Sequence, residues 1–364
     1  MEEAEPKSLE ALRAEIDAID RDLSALVIRR LKTVREIAEA KRRTGKAVCD
    51  PTREEAILEA VGEKVGDDFS DEVKTVFRTL FDVAKSRQRA QLANTVKAGN
   101  FTVAVVGMGL IGGSFYKAAL RAGYDVTPLH HGESEGLSCA DIVLVCLPPD
   151  AIVPWIRAHA PDFKSGATVV DICGVKTEIC REMAKIPQDG WRFIGGHPMA
   201  GKEVTGFANS TADLFIGKSM VLCPDAADAD LAALKRFFLS LGFAQAVVTT
   251  PARHDEMIAF TSQLGHVIAS AYAQDPRVAD SVGFAAGSFA NMSRIAIIDP
   301  ETWAALYLAD RVALLAVLDD FIGRLATFRA ALDAQDASAL KAFIAAGADA
   351  KRGELERARK LLAV

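Results

Sequence analysis

Nowhere does the sequence hold the eighteen or so uninterrupted apolar residues that a membrane-spanning helix needs. Its first residues, MEEAEPKSLE, are acidic, unlike a secretory leader. The six cysteines stand at 49, 139, 146, 173, 180 and 223 without a single C-x-x-C pair, so no zinc or dithiol motif is present. Basic charge is not in excess either: 43 Lys and Arg face 49 Asp and Glu, a net charge of -6, which argues against nucleic acid as the ligand. There is no repeat and no low-complexity tract. The expectation from these absences is a cytoplasmic protein with no membrane, nucleic-acid or metal partner, its cysteines reduced and mostly buried.

What is present divides by texture. At 364 residues, half of them apolar and a quarter charged, the chain has material for two or three domains. From Leu9 to Thr44 the apolar residues keep helical spacing, and Gly45 supplies a stop. Such a helix spans about 54 Å and needs a partner along its length. Ile16, Ile19, Leu23, Leu26, Val34 and Ile37 fall within about 40° of the line through Leu12, the expected buried face. Arg30 and Lys41 lie on the same line. Either they snorkel or pair with acids of another helix, or they line a pocket for an anion. Two cations on one stripe favour the pocket, because unpaired buried charge is costly. Arg13 points roughly 100° away, towards a different pocket such as one in a dimer partner. In DPTREE, Asp50 suits a helix cap, Pro51 the first helical position, and Arg53 adds a cation. Ser70 is the expected cap of a third helix running through VFRTLFDVAKSRQ to a polar tail around Gln88. Three helices with one so long predict an intertwined dimer. After Leu92, ANTVKAGN is the expected linker.

The stretch VAVVGMGLIGGSF comes next. Gly107, Gly109 and Gly112 form G-x-G-x-x-G between a β-branched strand and an apparent helix, with Leu110 and Ile111 opening that helix. In this context the motif predicts dinucleotide binding: a tight turn, backbone close to a pyrophosphate, and helix amides facing its charge. The following strand, DVTPLHH, should end in an acid to hold the ribose of NAD. It ends in His130 and His131, with Glu133 two residues further on and no nearby arginine for NADP. NAD is the default, and NADP is not excluded. Further strands in ADIVLVCLPP, ATVVDICGVK, WRFIGGHPMAG, SMVLCP and AVVTT predict a doubly wound sheet with functional residues at strand C-terminal ends. His197 occupies such an end, as a base or as a histidine merely satisfied in a loop. From His254 onward the chain is helical and rich in Ala, Leu and Ile, expected at a dimer interface or at the far wall of a cleft. After residue 325 only a helical tail is expected, without a separate regulatory domain.

The motifs ALRAEIDAIDRDL, RRLKTVREIAEAK, DPTREEAIL and VFRTLFDVAKSRQ, covering nearly all of residues 9 to 92, resemble the all-helical chorismate mutase family. The resemblance implies that Arg13, reaching across from the other protomer, Arg30 and Arg53 bind the substrate carboxylates. It places Lys41 and Gln88 at the ether oxygen, and Asp50 and Glu54 at the hydroxyl, with no cofactor for this step. Ala84 stands where the family often has serine. Fixed cations suit a rearrangement whose breaking ether oxygen turns negative.

VVGMGLIGGS, GGHPMAGKEVTGF, HDEMIAFTSQLGH and SFANMSRIAIIDPETW, in that order from residue 101 to roughly 325, resemble the prephenate dehydrogenase family. The resemblance implies that His197 takes the ring hydroxyl proton of prephenate as hydride leaves for NAD, that Arg294 binds a carboxylate, and that His266 stands at the site edge. A histidine near neutral pKa suits the base, and arginine the carboxylate. Gly174 and Gln263 depart from the family's serine and histidine. The expected architecture is multidomain, α and α/β: a helical mutase domain over 1–95, a Rossmann domain over 101–253, and a helical substrate and dimerisation domain over 254–364, forming a homodimer. The implied function is tyrosine biosynthesis from chorismate through prephenate to 4-hydroxyphenylpyruvate. Arogenate in place of prephenate stays open. The inward cations and His197 oppose a non-enzymatic dinucleotide sensor.

Overall fold

The computed structural model describes residues 7–44, 48–66, 68–93, 99–130, 132–202, 204–225 and 231–362. Gly45, His131 and most of the expected linker lie outside the described residues. The chain divides into two compact units, one of residues 1–95 with 357–364 and a larger one of residues 96–356.

In the first unit, α1 (Leu9–Thr44), α2 (Pro51–Val65) and α3 (Ser70–Ala93) follow one another. Asp50 caps α2 as expected, its carboxylate accepting from the Arg53 amide at 3.1 Å. Ser70 does not cap α3 but is its first residue, and the Phe69 carbonyl accepts the first helical bond. The stripe on α1 also differs from expectation. Val34 and Ala38 are buried, but Leu12, Ile16, Ile19, Leu23, Leu26 and Ile37 are all exposed. Length explains this: α2 and α3, at 15 and 24 residues, span about 22 and 36 Å and cannot cover all of α1.

The second unit is a seven-stranded sheet flanked by helices. Its strands are β1 (Thr102–Val106), β2 (Asp125–Leu129), β3 (Ile142–Val145), β4 (Thr168–Asp171), β5 (Arg192–Pro198), β6 (Ser219–Cys223) and β7 (Gln245–Val248). They lie in the order β2-β1-β3-β4-β5-β6-β7, all neighbours parallel except β5 with β6. Strand residues alternate between two cores. Val103 and Val105 pack with α4 (Leu110–Ala122) through Phe115 and Ala118, whereas Ala104 and Val106 share a core with Ile152 and Trp155 of α5 (Pro149–His159). α6 (Thr177–Met183) lies on the second face, and α7 (Ala232–Ser240) covers the first with Phe237 and Phe238. The order reverses between β2 and β3, on either side of β1, which puts a crevice beyond the C-terminal end of β1.

The remainder is helical: α8 (Pro251–Ile258), a π-helical turn at Ala259–Gln263, α9 (Leu264–Ala273), α10 (Gly287–Ser293), α11 (Pro300–Ala309), α12 (Arg311–Asp333) and α13 (Ala337–Leu362). Val282, Phe284, Ile297, Leu308 and Val312 are each more than 70% exposed, and Leu314 is the sole buried residue of α12. No helix among the described residues is long and apolar enough to cross a membrane.

Candidate active sites

Three of the polar groups picked from the first unit, Arg30, Glu54 and Gln88, gather along α3. Leu80, Ala84 and Gln88 are spaced by four and share one face. Arg30 Nη1 donates to the Leu80 carbonyl at 3.1 Å and lies 5.7 Å from the centre of the Phe81 ring. Glu54 Oε2 accepts from Lys85 Nζ at 3.1 Å, and that ammonium also lies 3.0 Å from Asp82. Lys85 was not singled out from sequence, although it lies three residues before Gln88 on the same helix. Gln88 is buried, and its Oε1 has no hydrogen-bond partner among the described residues. Such an orphaned group needs a ligand or water to satisfy it. Lys41 is drawn aside to the Val48 carbonyl at 2.7 Å, just before Asp50. Arg13, Asp50 and Arg53 are exposed. The structure therefore brings Arg30 and Glu54 to the helix that carries Gln88 without completing a ring of cations around it.

In the second unit the glycine turn closes β1 onto α4. Gly107 has φ +87° and donates to the Leu129 carbonyl at 2.9 Å. A Cβ on Gly112 would lie 1.9 Å from the Gly107 carbonyl oxygen, so no other residue fits there. At Gly109 a Cβ would meet nothing within 4 Å, and no side chain caps α4. The amides of Leu110 and Ile111 belong to the first turn of α4, where no carbonyl of the helix can accept from them, and the open space at Gly109 beside them fits a pyrophosphate.

His197 lies at the C-terminal end of β5. A Cβ on the preceding Gly196 would come 2.6 Å from Val170 and 2.7 Å from the Asp171 carbonyl oxygen, so glycine is what lets β5 approach β4 there. Beneath it, Asp171 and Lys176 form a wholly buried ion pair. Asp171 also accepts from the amides of Cys173 and Gly196, at 3.1 and 3.2 Å. Burial alone would pull the Lys176 pKa down, but the Asp171 carboxylate reverses this and keeps the ammonium charged.

A relay that sequence reading missed orients His197. Its Nδ1 is 2.9 Å from His254 Nε2, and His254 Nδ1 is 2.7 Å from Asp255 Oδ1. Asp255 accepts further from the amides of Lys176 and Thr177, at 2.8 and 2.7 Å. Burial opposes the Asp255 charge, but these donors outweigh it and hold the carboxyl below its ordinary value. An ionised Asp255 requires a proton on His254 Nδ1. His254 Nε2 then accepts from His197 Nδ1–H, which leaves the lone pair of His197 on Nε2. Burial, then the neighbouring His254 and Lys176, holds the His197 pKa well below 6.5, so the ring is neutral at neutral pH.

Beside Nε2 stands Gly174. A Cβ there would meet Leu306 at 3.6 Å and His197 Nε2 at 3.8 Å, so the departure from serine leaves a small space at the lone pair. Gln263 is buried, as is Asp310 of α11's C-terminal cap, whose carboxyl is pushed up to about 7 by burial and by Asp255. Both Gln263 Oε1 and Asp310 Oδ2 lack partners among the described residues. His266 Nδ1 donates to the Ile295 carbonyl (2.9 Å), its ring packs 4.0 Å from the Trp303 ring centre, and it lines a cavity of about 640 Å³ with Lys202, Ser262 and Thr302. Arg294 lies exposed one residue before Ile295, and neither it nor His197 is part of that cavity's lining.

Comparison with known proteins assigns the units. Residues 12–89 match the family model of chorismate mutase type II. Residues 92–248 match the nucleotide-binding domain of prephenate dehydrogenase, and residues 250–346 its dimerization domain. Among relatives, cyclohexadienyl dehydrogenase of Zymomonas mobilis is 30% identical over 266 residues, covering 64% of this chain and 89% of the relative. Among solved structures, Synechocystis arogenate dehydrogenase has a TM-score of 0.61 at 25% identity, covering 70% of this chain and 99% of that one. The A. aeolicus prephenate dehydrogenase, in complex with hydroxyphenyl propionate and NAD+, has a TM-score of 0.59 at 22% identity, covering 71% and 99%. The chain belongs to the prephenate dehydrogenase family and carries a chorismate mutase domain on the same polypeptide, an isomerase joined to an oxidoreductase.

Proposed function

We propose that the helical unit converts chorismate to prephenate and that the larger unit oxidatively decarboxylates prephenate to 4-hydroxyphenylpyruvate with NAD. The observation that carries this reading is the His197–His254–Asp255 relay, which leaves a neutral imidazole with its lone pair on Nε2. NAD, when bound, would supply the acceptor for the hydride on the ring carbon that bears the hydroxyl. His197 Nε2 takes the hydroxyl proton, the positive charge is stabilised through His254 by Asp255, the ring carboxylate leaves as carbon dioxide while the ring becomes aromatic, and the imidazolium then returns the proton to the phenolate oxygen. Gly107, Gly109, Leu110, Ile111 and Gly112 hold the pyrophosphate. His266 and Arg294 bind the substrate side chain. NAD is supported by the complex of the A. aeolicus enzyme and by the absence of a cation after β2.

In the mutase step, Arg30 and Arg53, with Arg13 of a second copy, hold the two carboxylates. Lys41 and Gln88 stabilise the ether oxygen, and Asp50 and Glu54 take the hydroxyl. The uncovered stripe of α1 and the exposed apolar residues of the C-terminal helices support a homodimer. The domains we assign are 1–95, 101–253 and 254–364, in a cytoplasmic enzyme. Incubating the purified chain with chorismate and following ring products by mass spectrometry tests this. Prephenate without dinucleotide and 4-hydroxyphenylpyruvate with NAD are expected. Faster turnover with NADP, or with arogenate offered separately, would replace the cofactor or substrate assignment.

A further inference from the structure

We propose that Glu133 selects NAD over NADP, supplying from outside the strand the acid that β2 itself lacks. This deepens the cofactor reading above and rests on it. The last residue of β2, Leu129, is tied to the glycine turn, its carbonyl accepting from the Gly107 amide at 2.9 Å. Beyond Leu129 the chain reverses at once. The Glu133 amide donates to the His130 carbonyl at 3.0 Å, and Glu133 Oε2 accepts from the His130 amide at 2.8 Å. That second bond carries the carboxylate back to the tip of β2, one residue beyond the strand. In a dinucleotide fold this tip is where the adenosine ribose hydroxyls come to rest. The loop continues to fold along the strand, since a Cβ on Gly136 would meet the Thr127 side chain at 3.2 Å. Glu133 is exposed, so its carboxylate remains accessible to a ribose hydroxyl while Oε2 keeps the His130 amide.

Charge points the same way. From Asp125 to Ile156 the sequence has no lysine or arginine but five acids, at 125, 133, 135, 141 and 150. Asp141 is matched by Lys164 at 2.5 Å. A 2′-phosphate placed at the β2 tip meets the Glu133 carboxylate with no cation from this stretch to offset it, whereas a 2′-hydroxyl donates to that carboxylate.

Direct binding on the full chain tests this, by titrating NAD and NADP separately and reading the dissociation constants by calorimetry, with no substrate present. Glu133→Gln keeps an oxygen for the His130 amide, so the turn survives while the charge is removed. Glu133→Arg adds a cation at the same place. The wild-type chain is expected to bind NAD about a hundredfold more tightly than NADP. Glu133→Gln should narrow that ratio by about tenfold, mostly by tightening NADP, and Glu133→Arg should narrow it further. A ratio left unchanged by both substitutions overturns the role of Glu133 and leaves the NAD reading standing. A wild-type chain that binds both equally overturns the NAD reading instead, and one that binds neither overturns dinucleotide binding at the glycine turn.

Discussion

The two units hold their polar groups in opposite ways. In the larger unit the groups that orient His197 are fixed by other buried groups of the same chain, from Asp255 through His254 and from Asp171 to Lys176. In the helical unit Arg30 and Lys41 rest on backbone carbonyls, Arg13 and Arg53 are exposed, and most of the α1 stripe is uncovered. A sheet with short crossovers can close a site within one chain. Three helices of unequal length cannot, and on our reading the second copy finishes the job.

Substitutions can break this contrast, and the largest effect is expected at His197. His197→Asn should lower kcat for prephenate oxidation by about 10³-fold while leaving chorismate conversion unchanged in separate assays. Next comes Lys176→Met, which leaves Asp171 buried without its partner. Urea unfolding should show a loss of about 3–5 kcal/mol in the larger unit. His254→Leu removes the acceptor for His197 Nδ1 but leaves Asp255 of α8 bonded to the amides of Lys176 and Thr177. We expect kcat for oxidation to fall about tenfold to hundredfold with little change in KM.

The smallest expected effect concerns Asp310 and depends on pH. Its carboxyl is raised from 3.8 to about 7, so between those values the folded chain holds a proton that the unfolded chain has lost. The stability that this proton accompanies is complete below about 3.8 and declines as pH rises to about 7. Asp310→Asn should therefore stabilise the chain at about pH 8 and hardly at all near pH 4, as read by denaturant midpoints. His197 works with the opposite sign. Held below 6.5 in the folded chain, it costs stability as pH falls through about 6.5, because the unfolded chain takes up the proton first.

The strands were legible in the sequence because β-branched runs such as TVAVV and IVLV suit a buried sheet, and α1 and α2 begin where the sequence places them, while α3 starts one residue early, at its expected cap. The glycine turn was legible because its spacing is dictated by contacts within six residues. The relay was not. His197 and His254 are 57 residues apart, and only the packing of α8 near β5 reveals that they touch. Glu133 was visible, but as an acid in the wrong place, because strand register does not show that the chain folds back. The exposed half of α1 was misread as buried because helical periodicity reports that a face is apolar without saying which chain covers it.

The contrast between a site closed within one chain and a site finished by a second copy can be tested by mixing inactive chains. Arg13→Ala and Arg30→Ala chains should each lose chorismate conversion while retaining prephenate oxidation. After unfolding and refolding together, half of the dimers pair one of each. One site in each such dimer then has both arginines, so about a quarter of the wild-type mutase activity should return. No recovery in the mixture, with prephenate oxidation intact, would contradict the claim that Arg13 serves the site of its partner.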